Sequence, residues 1–381
     1  MPQSTIWKSV FGGALAVPLF GATLMQNPND LTVHEWGTFT SVAGYNGSSL
    51  QWAPLSVASD LPCFVHTRGA GLVKYQPGLV RMETPVVYFY TGQETHASVF
   101  VGFPQGEMSE WYPNAQVWAN PGLTGRGAIE WADLKILPGT NPELPSSAGE
   151  SRYYAARATD ATPVQAGNEN EKLLFYRGIA NFKVPIEPVA SGNGYTIRNK
   201  SAVPIPAAIL FENHDGRIGY RVILNLKDSA QLETPPLTSS VEAIRKDLTG
   251  ILVQAGLYPK EAAAMLETWH DSWFEPGTRV IYIDPRGTVN AILPIRISPA
   301  PQKIERVFVG RVEVLSPRTE TAIRTAMEAG DAAAMEKLGR FLPAFHWEMI
   351  NHGKLTRTTP GEAIAGRIDS ANYRGAAPCI R

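Results

Sequence analysis

The chain has 381 residues, of which 34 are basic and 35 acidic, so its formal charge at pH 7 is -1. No run of Lys or Arg is long enough to neutralise a series of phosphates, which argues against a nucleic-acid partner. The 9 Trp, 13 Tyr, 30 Pro and 34 Gly favour short strands joined by frequent turns, and the length favours two domains.

The N-terminal residues predict a secretory signal peptide. Lys8 precedes an apolar run from Val10 to about Leu24 that is interrupted by glycine and proline. The run is shorter than the roughly 20 residues that span a bilayer, and the small residues Gly21, Ala22 and Thr23 near its end offer imperfect cleavage positions. We therefore predict a signal peptide over residues 1–25, a periplasmic or secreted protein, and no transmembrane segment after signal removal. A buried N-terminal helix is the alternative.

The first strand of the mature chain is predicted over Leu31–Val42, where β-branched and aromatic residues are dense. Alternation places Glu35 on the same face as Val33 and places His34 on the opposite face. A carboxylate among apolar side chains must be paired to be buried. Glu35 therefore either serves a pocket, holding a metal or a proton, or has a structural role in which it pairs with an arginine or caps a neighbouring turn. His34 and Glu35 are candidate catalytic residues, although Thr38 occupies the second histidine position of an H-E-x-x-H motif.

Two further segments, residues 85–90 and 98–103, predict a β-hairpin. Glu83 precedes it at a strand entrance and is another candidate catalytic residue. The strand pattern continues over residues 128–137, with a β-bulge predicted near Asp133 because the alternation of apolar residues slips there.

The clearest hairpin lies within residues 207–226, with its turn at residues 213–216. Glu212, His214 and Asp215 flank or form this turn and together offer oxygen and nitrogen ligands, which makes them the candidates for a divalent metal. The alternative is an ordinary polar turn.

A domain boundary is predicted at residues 231–240, where tandem prolines stiffen the backbone. Ser239 has capping-box spacing from Glu242, and one apolar face continues until Gly256, which predicts a helix. A second helix begins at Pro259, and the two helices are expected to form an antiparallel hairpin. The predicted division is a β-sandwich-like domain over residues 30–235, an α+β domain over residues 236–345 and an extended C-terminal tail over residues 346–381.

Residues 269–284, W-H-D-S-W-F-E-P-G-T-R-V-I-Y-I-D, predict the transition from these helices to the last sheet. His270 and Asp271 lie among aromatic residues here and are candidate catalytic residues. Adjacent helical residues are about 100° apart and do not share one ligand. If the segment is a structural hinge, Trp269 and Trp273 are buried.

The C-terminal third predicts three more elements. A D-P-R-G turn at residues 284–287 indicates a β-hairpin, residues 304–315 form a strand, and a helix starts at Ser316 and Pro317 with a break near Gly330.

Cys63 and Cys379 are the two cysteines of the chain. An exported protein with an even number of cysteines usually oxidises them, so we predict a disulfide between these residues. A thiol nucleophile at Cys63 with His66 as its base is disfavoured by the same argument.

Three stretches, H-E-W-G-T-F-T-S-V, M-E-T-P-V-V-Y-F-Y and R-V-F-V-G-R-V-E, resemble uncharacterised bacterial proteins that carry signal peptides. The resemblance spans most of the mature chain. It implies no activity, and no functional residue is carried over from it.

The sequence as a whole predicts a β-rich protein: an all-β, sandwich-like N-terminal unit and a smaller α+β C-terminal unit with a helical hairpin. No G-x-S-x-G elbow, phosphate-binding loop, dinucleotide fingerprint or C-x-x-C pair is present. The first hypothesis is a binding or scaffold module of the cell envelope that stacks exposed Trp and Tyr on a carbohydrate or peptide. The second is a metal-assisted hydrolase. Its ligands would come from His34, Glu35, Glu83, His214, Asp215, His270 and Asp271.

Overall fold

The computed structural model describes residues 30–53, 61–67, 78–118, 127–149, 151–192 and 194–365. The signal peptide predicted over residues 1–25 lies outside this part of the chain, as does Cys379. The signal peptide and the Cys63–Cys379 disulfide therefore stay predictions.

Eighteen strands are described. In chain order they are β1 (Thr32–Ala43), β2 (His66–Thr67), β3 (Val80–Tyr90), β4 (Thr95–Phe103), β5 (Gly106–Tyr112), β6 (Gln116–Trp118), β7 (Gly127–Ile136), β8 (Val164–Ala166), β9 (Glu169–Glu171), β10 (Leu174–Ala180), β11 (Ile186–Ser191), β12 (Gly194–Asn199), β13 (Ile205–His214), β14 (Arg217–Leu226), β15 (Ser229–Glu233), β16 (Gly277–Ile283), β17 (Ile295–Ser298) and β18 (Lys303–Val314).

The described helices lie mostly in the C-terminal third. They are α1 (Val241–Gln254), α2 (Pro259–Thr268), α3 (Arg286–Ile292), α4 (Pro317–Ala329), α5 (Ala332–Lys337) and α6 (Leu342–Asn351), with 3₁₀ helices at Arg152–Arg157 and Gly339–Phe341. Within the described residues, no helix is long and apolar enough to cross a membrane.

The strands form three sheets, which confirms the β-rich prediction. The largest has nine strands in the order β14-β13-β16-β18-β1-β3-β10-β5-β2. At its centre β1 pairs in parallel with β18 and antiparallel with β3. The second sheet has the order β17-β4-β7-β8-β9, with β6 also paired to β7, and the third has the order β11-β12-β15.

The two faces of the nine-stranded sheet bury different layers. Val33 and Phe39 of β1 enter a core shared with the two smaller sheets. Trp36 of β1 enters a second core, on which α1 and α2 pack. This division follows the period of two in an extended strand. The C-terminal helices α4 to α6 enclose a third core at one end of the sheet, around Val42.

Several sequence predictions were wrong because strand pairing is non-local. Strands β3 and β4 belong to different sheets, so residues 85–103 form no hairpin. The D-P-R-G segment leads into α3, and the following strand β17 pairs with β4. The nine-stranded sheet takes strands from both sides of the boundary predicted at residues 235–236, so that linker does not separate two sheets.

The C-terminal region also differs from the prediction of an extended tail over residues 346–381. Helix α6 runs through Asn351, with Pro343 in its first turn and Phe345 and Met349 buried. Its apolar residues pack on α4 and α5, and this contact stabilises a helix that its short apolar stripe did not reveal. Residues 366–381 lie outside the described chain.

Locally determined elements were predicted correctly. The hairpin of β13 and β14, the helices α1 and α2, and the helix break at Gly330 are all present. The cap of α1 is Ser240 rather than Ser239, because the Ser240 side chain accepts a hydrogen bond from the Ala243 backbone N–H.

Asp284 follows β16 and is a buried carboxyl group without a hydrogen-bond partner among the described residues. Burial raises the pKa of Asp284 well above its ordinary value. The folded state therefore keeps the proton while the unfolded state loses it above about pH 4, so this group's contribution to stability falls as pH rises.

We expect Asp284→Asn to remove that loss. The free energy of unfolding of the variant, relative to the native chain, should rise with pH above about pH 4, by about 1.4 kcal/mol for each unit by which the pKa is raised. Urea denaturation over a pH series measures the difference. A difference that does not change with pH would contradict this account of Asp284.

Candidate functional site

Glu35 is a buried, paired carboxylate. It accepts hydrogen bonds from the Tyr176 hydroxyl and from the Arg306 guanidinium, and Arg306 also donates to Asn290 at 2.9 Å. Of the two sequence interpretations, the arginine pair is the one that the structure shows. The pair joins β1 to β18 inside the core and leaves no open face for a ligand.

His34 is also buried, on the opposite face of β1. Its Nδ1 lies 2.8 Å from Glu261 Oε2, and the Tyr90 hydroxyl donates to the other oxygen of Glu261 at 2.7 Å. The Tyr258 ring covers the imidazole with a centroid separation of 4.3 Å. His34 Nε2 has no partner among the described residues, but it is enclosed. The histidine thus connects β1 to the start of α2 and is not open to a substrate.

Glu83 belongs to a largely buried charged group that we call the arginine–glutamate cluster: Glu83, Glu275, Arg279, Arg311, Glu313 and Arg340. Glu83 pairs with Arg340 and accepts a hydrogen bond from Thr40 Oγ1 at 3.1 Å. Burial raises the pKa of Glu83, but the guanidinium groups of Arg340 and Arg81 outweigh it and lower that pKa to about 2. Glu83 is therefore ionised and held in place.

The rest of the cluster binds the residues 269–284 stretch to the sheet. Glu313 Oε1 accepts from Arg279 Nε at 2.8 Å and from Arg311 Nε at 2.6 Å. Arg279 also donates to the Trp273 carbonyl, and Arg311 pairs with Glu275. Trp269 and Trp273 are buried, as a structural hinge requires.

The backbone beside Glu83 is irregular. Thr84 has a φ of 52°, which is unusual for a β-branched residue. The pairing of β3 with both β1 and β10 shifts register at this point. Such strain persists only where surrounding structure fixes it, and the ion pairs of the arginine–glutamate cluster provide that support.

His270 and Asp271 lie on the surface with separate partners. His270 Nδ1 lies 2.7 Å from the Glu267 carbonyl oxygen, and Asp271 pairs with Arg152 at 2.9 Å. The structure does not bring either residue to His34, Glu35 or Glu83 through any such contact.

Glu212, His214 and Asp215 do not form a ligand set. Glu212 is buried and bonded to Tyr195 and Arg318, while Asp215 is an exposed turn residue. Burial, with the positive charge of Arg318, lowers the pKa of His214 to about 4. Within the described residues, no three His, Cys, Asp or Glu side chains are grouped to hold a metal ion.

A depression of about 480 Å³ opens beside β7, and we call it the outer depression. One edge of β7 is paired with β6 over residues 128–130 and with β8 over residues 134–136. Residues 131–133 lie between these two pairings, and no described strand pairs with them on that side. The gap between β6 and β8 is the depression.

Polar side chains line the outer depression. They are Asn114, Gln116, Glu130, Asp133, Asn168 and Glu169.

Four contacts involve residues of this lining. Glu169 accepts from the Asn114 backbone N–H and lies 2.9 Å from His66 Nε2. Asp133 lies 3.2 Å from His96 Nδ1. The Trp131 indole points into the core and donates to the Pro113 carbonyl at 3.0 Å, which holds the start of β6 against β7.

A row of four residues adjoins the depression on the outer face of the same sheet. Arg296, Phe100, Glu130 and Gln116 are in register across β17, β4, β7 and β6, a span of about 14 Å at the usual strand spacing. Arg296 lies over the Phe100 ring at 4.3 Å, and the exposed Trp118 ring lies 6.0 Å from that of Phe100.

The sequence contained one signal for this site. The slip in alternation near Asp133 predicted a bulge, and the structure confirms it: Ala132 and Asp133 of β7 lie opposite the single residue Ser98 of β4. Bulges commonly redirect side chains beside binding sites. The other lining residues come from separate turns whose meeting no local pattern reveals.

A smaller cavity of about 170 Å³ lies along α6. Trp347 at its edge is 55% exposed and is covered on one face by Arg357 at 4.8 Å. His346 and Glu362 pair across it at 2.9 Å. In this cavity Arg357 already covers the Trp347 ring, and His346 and Glu362 already pair with each other. Trp118 beside the outer depression is exposed.

Comparison with known proteins gives no family. No family model and no curated protein matches the chain. The yeast delta-COP-I mu-homology domain matches with a TM-score of 0.29 and 8% identity over 75% of this chain and 96% of that one. The same domain complexed with a Dsl1 WxWxV peptide gives 0.28 and 8% over 75% and 97%. Scores this low carry no argument about fold or function.

Proposed function

We propose that the protein is an exported binding module of the cell envelope and that its ligand is a carbohydrate held on the outer face of the six-stranded sheet. The observation that supports this most directly is the outer depression, with its polar lining, beside the exposed Trp118 and Phe100. Export is supported by the signal-like pattern of the N-terminus.

The chemistry of the lining suits a sugar. A sugar ring has an apolar C–H face and a rim of hydroxyl groups that both donate and accept hydrogen bonds. Aromatic rings such as Trp118 pack on the apolar face. The amides of Asn114, Gln116 and Asn168 donate and accept, and the carboxylates accept, so the hydroxyl rim finds both kinds of partner.

A peptide fits this surface less well. Extended peptides bind by adding a strand to an open sheet edge. The unpaired part of β7 is limited to residues 131–133, and its ends are closed by β6 and β8. The metal-assisted hydrolase has no corresponding observation in its favour, because no three of the described candidate ligands are grouped. Glu35 and Glu83 are in addition paired with arginines.

We expect Trp118→Ala to weaken binding of short N-acetylglucosamine oligomers about tenfold, which corresponds to about 1.4 kcal/mol. The reason is the loss of the exposed ring on which a sugar face packs. Isothermal titration calorimetry on the folded full-length chain measures the change.

Trp347→Ala is the matched control, because Trp347 is also an exposed indole but lies on α6. It should leave the affinity unchanged. A loss of affinity with Trp347→Ala and none with Trp118→Ala would move the site to the α6 cavity. Failure of every oligosaccharide tested to bind the native chain would remove the proposed function.

A further inference from the structure

The charged side chains that line the outer depression are all acidic. Its lining includes the carboxylates of Glu130, Asp133 and Glu169 and no lysine or arginine. Two cationic side chains lie nearby. Lys135 is two residues from Asp133 along β7, and Arg296 lies two strands from Glu130 and is stacked on Phe100. A ligand in the depression therefore meets negative charge on several sides.

The three carboxylates differ in the contacts that they already make with the protein. Glu169 is oriented by His66 and by the Asn114 backbone N–H. Asp133 contacts His96, but its side chain remains 77% exposed. Glu130 forms no ion pair with a described residue, and its side chain lies on the outer face between Phe100 and Gln116. Glu130 and Asp133 are thus the carboxylates that are available to a ligand.

A concave surface lined by one sign of charge concentrates ligands of the opposite sign. An ammonium group on a sugar ring would receive charge-assisted hydrogen bonds from such carboxylates. The exposed Trp118 ring adds a surface that attracts cations. A uronic acid would meet repulsion, and an N-acetylated sugar would gain only neutral hydrogen bonds.

We infer that the outer depression selects glycans that carry a free, protonated amino group over their N-acetylated and uronic-acid counterparts. This inference rests on the proposed carbohydrate function and specifies the class of sugar. Glu130 and Asp133 are the residues that determine the preference.

The test compares three oligosaccharides of equal length: a glucosamine oligomer, its N-acetylated form and a uronic-acid oligomer. Affinities are measured by calorimetry on the full chain, at low and high salt and at a pH where the glucosamine amines are protonated. We expect the glucosamine oligomer to bind about fivefold more tightly than the N-acetylated form at low salt, since each exposed ion pair contributes a factor of a few. The ratio of the two affinities should fall towards one at high salt, because exposed charges are then screened.

The variants Glu130→Gln and Asp133→Asn should remove this preference while the N-acetylated oligomer still binds. Glu328→Gln is the control, because Glu328 is an exposed carboxylate on α4, outside the depression. Thermal melting establishes that each variant folds.

The outcomes separate the two proposals. Equal affinity for the amino and N-acetylated oligomers, or a preference that both depression variants retain, overturns the charge selection but leaves carbohydrate binding in place. Tighter binding of the uronic-acid oligomer also overturns it. Absence of binding to all three overturns the proposed function and this inference together.

Discussion

Replacing Glu313 with alanine should lower the free energy of unfolding by about 3 to 5 kcal/mol. Glu313 Oε1 accepts from both Arg279 and Arg311, and the side chains of both arginines are fully buried. Without this carboxylate two guanidinium groups remain in the protein interior with less compensating charge, and breaking a buried pair from one side costs far more than the pair contributes net. Urea denaturation followed by tryptophan fluorescence measures the loss.

Two further variants define the cause. Glu313→Gln keeps an acceptor oxygen without the charge and should fall between the native chain and the alanine variant. Asp160→Ala removes one partner of the Lys260–Asp160 pair, whose side chains are 63% and 71% exposed, and should change stability by no more than about 1 kcal/mol. If Glu313→Ala stayed within about 1 kcal/mol of the native chain, the arginine–glutamate cluster would not be the support that we assign to it.

Trp273→Ala should cost about 3 to 5 kcal/mol as a large truncation in a packed core. The Trp273 ring is fully buried and lies parallel to that of Trp269, with centroids 6.5 Å apart, and its carbonyl oxygen accepts from Arg279. The variant therefore leaves a cavity at the point where the residues 269–284 stretch is held on the sheet.

The neighbouring His270→Ala is the control within the same stretch. His270 is exposed and its ring contacts Glu267, so its loss should shift the free energy of unfolding by about 0.5 kcal/mol or less. Equal effects from the two variants in thermal and urea unfolding would show that the stretch is not organised around Trp273.

The sequence predicted those elements whose signals are local. The caps and apolar stripe of α1, the proline that starts α2, and the turn between β13 and β14 all act within a few residues, so their positions were predicted to within one or two residues. The sequence indicated pairing with an arginine as one role for Glu35, because a carboxylate on an apolar strand face must be paired to be buried. It did not identify Arg306 as that arginine.

Pairings between distant strands left no such signal. Residues 98–103 have the alternation of a strand, but alternation does not specify which strand lies beside it, and β4 joined β7 and β17 instead of β3. The outer depression was missed for the same reason. It exists because β6 and β8 share one edge of β7, and only the bulge at Asp133 left a trace in the sequence.

The central pairing of β1 with β18 determines when the molecule can fold. Glu35 and Arg306, which join these strands, are 271 positions apart. During synthesis β1 emerges early, yet the strand that lies between it and β16 is completed only when Val314 has been made. Until then β1 and β16 each present an edge without its neighbour, and contacts of such long sequence separation form slowly. The nine-stranded sheet thus closes only after nearly the whole chain is available.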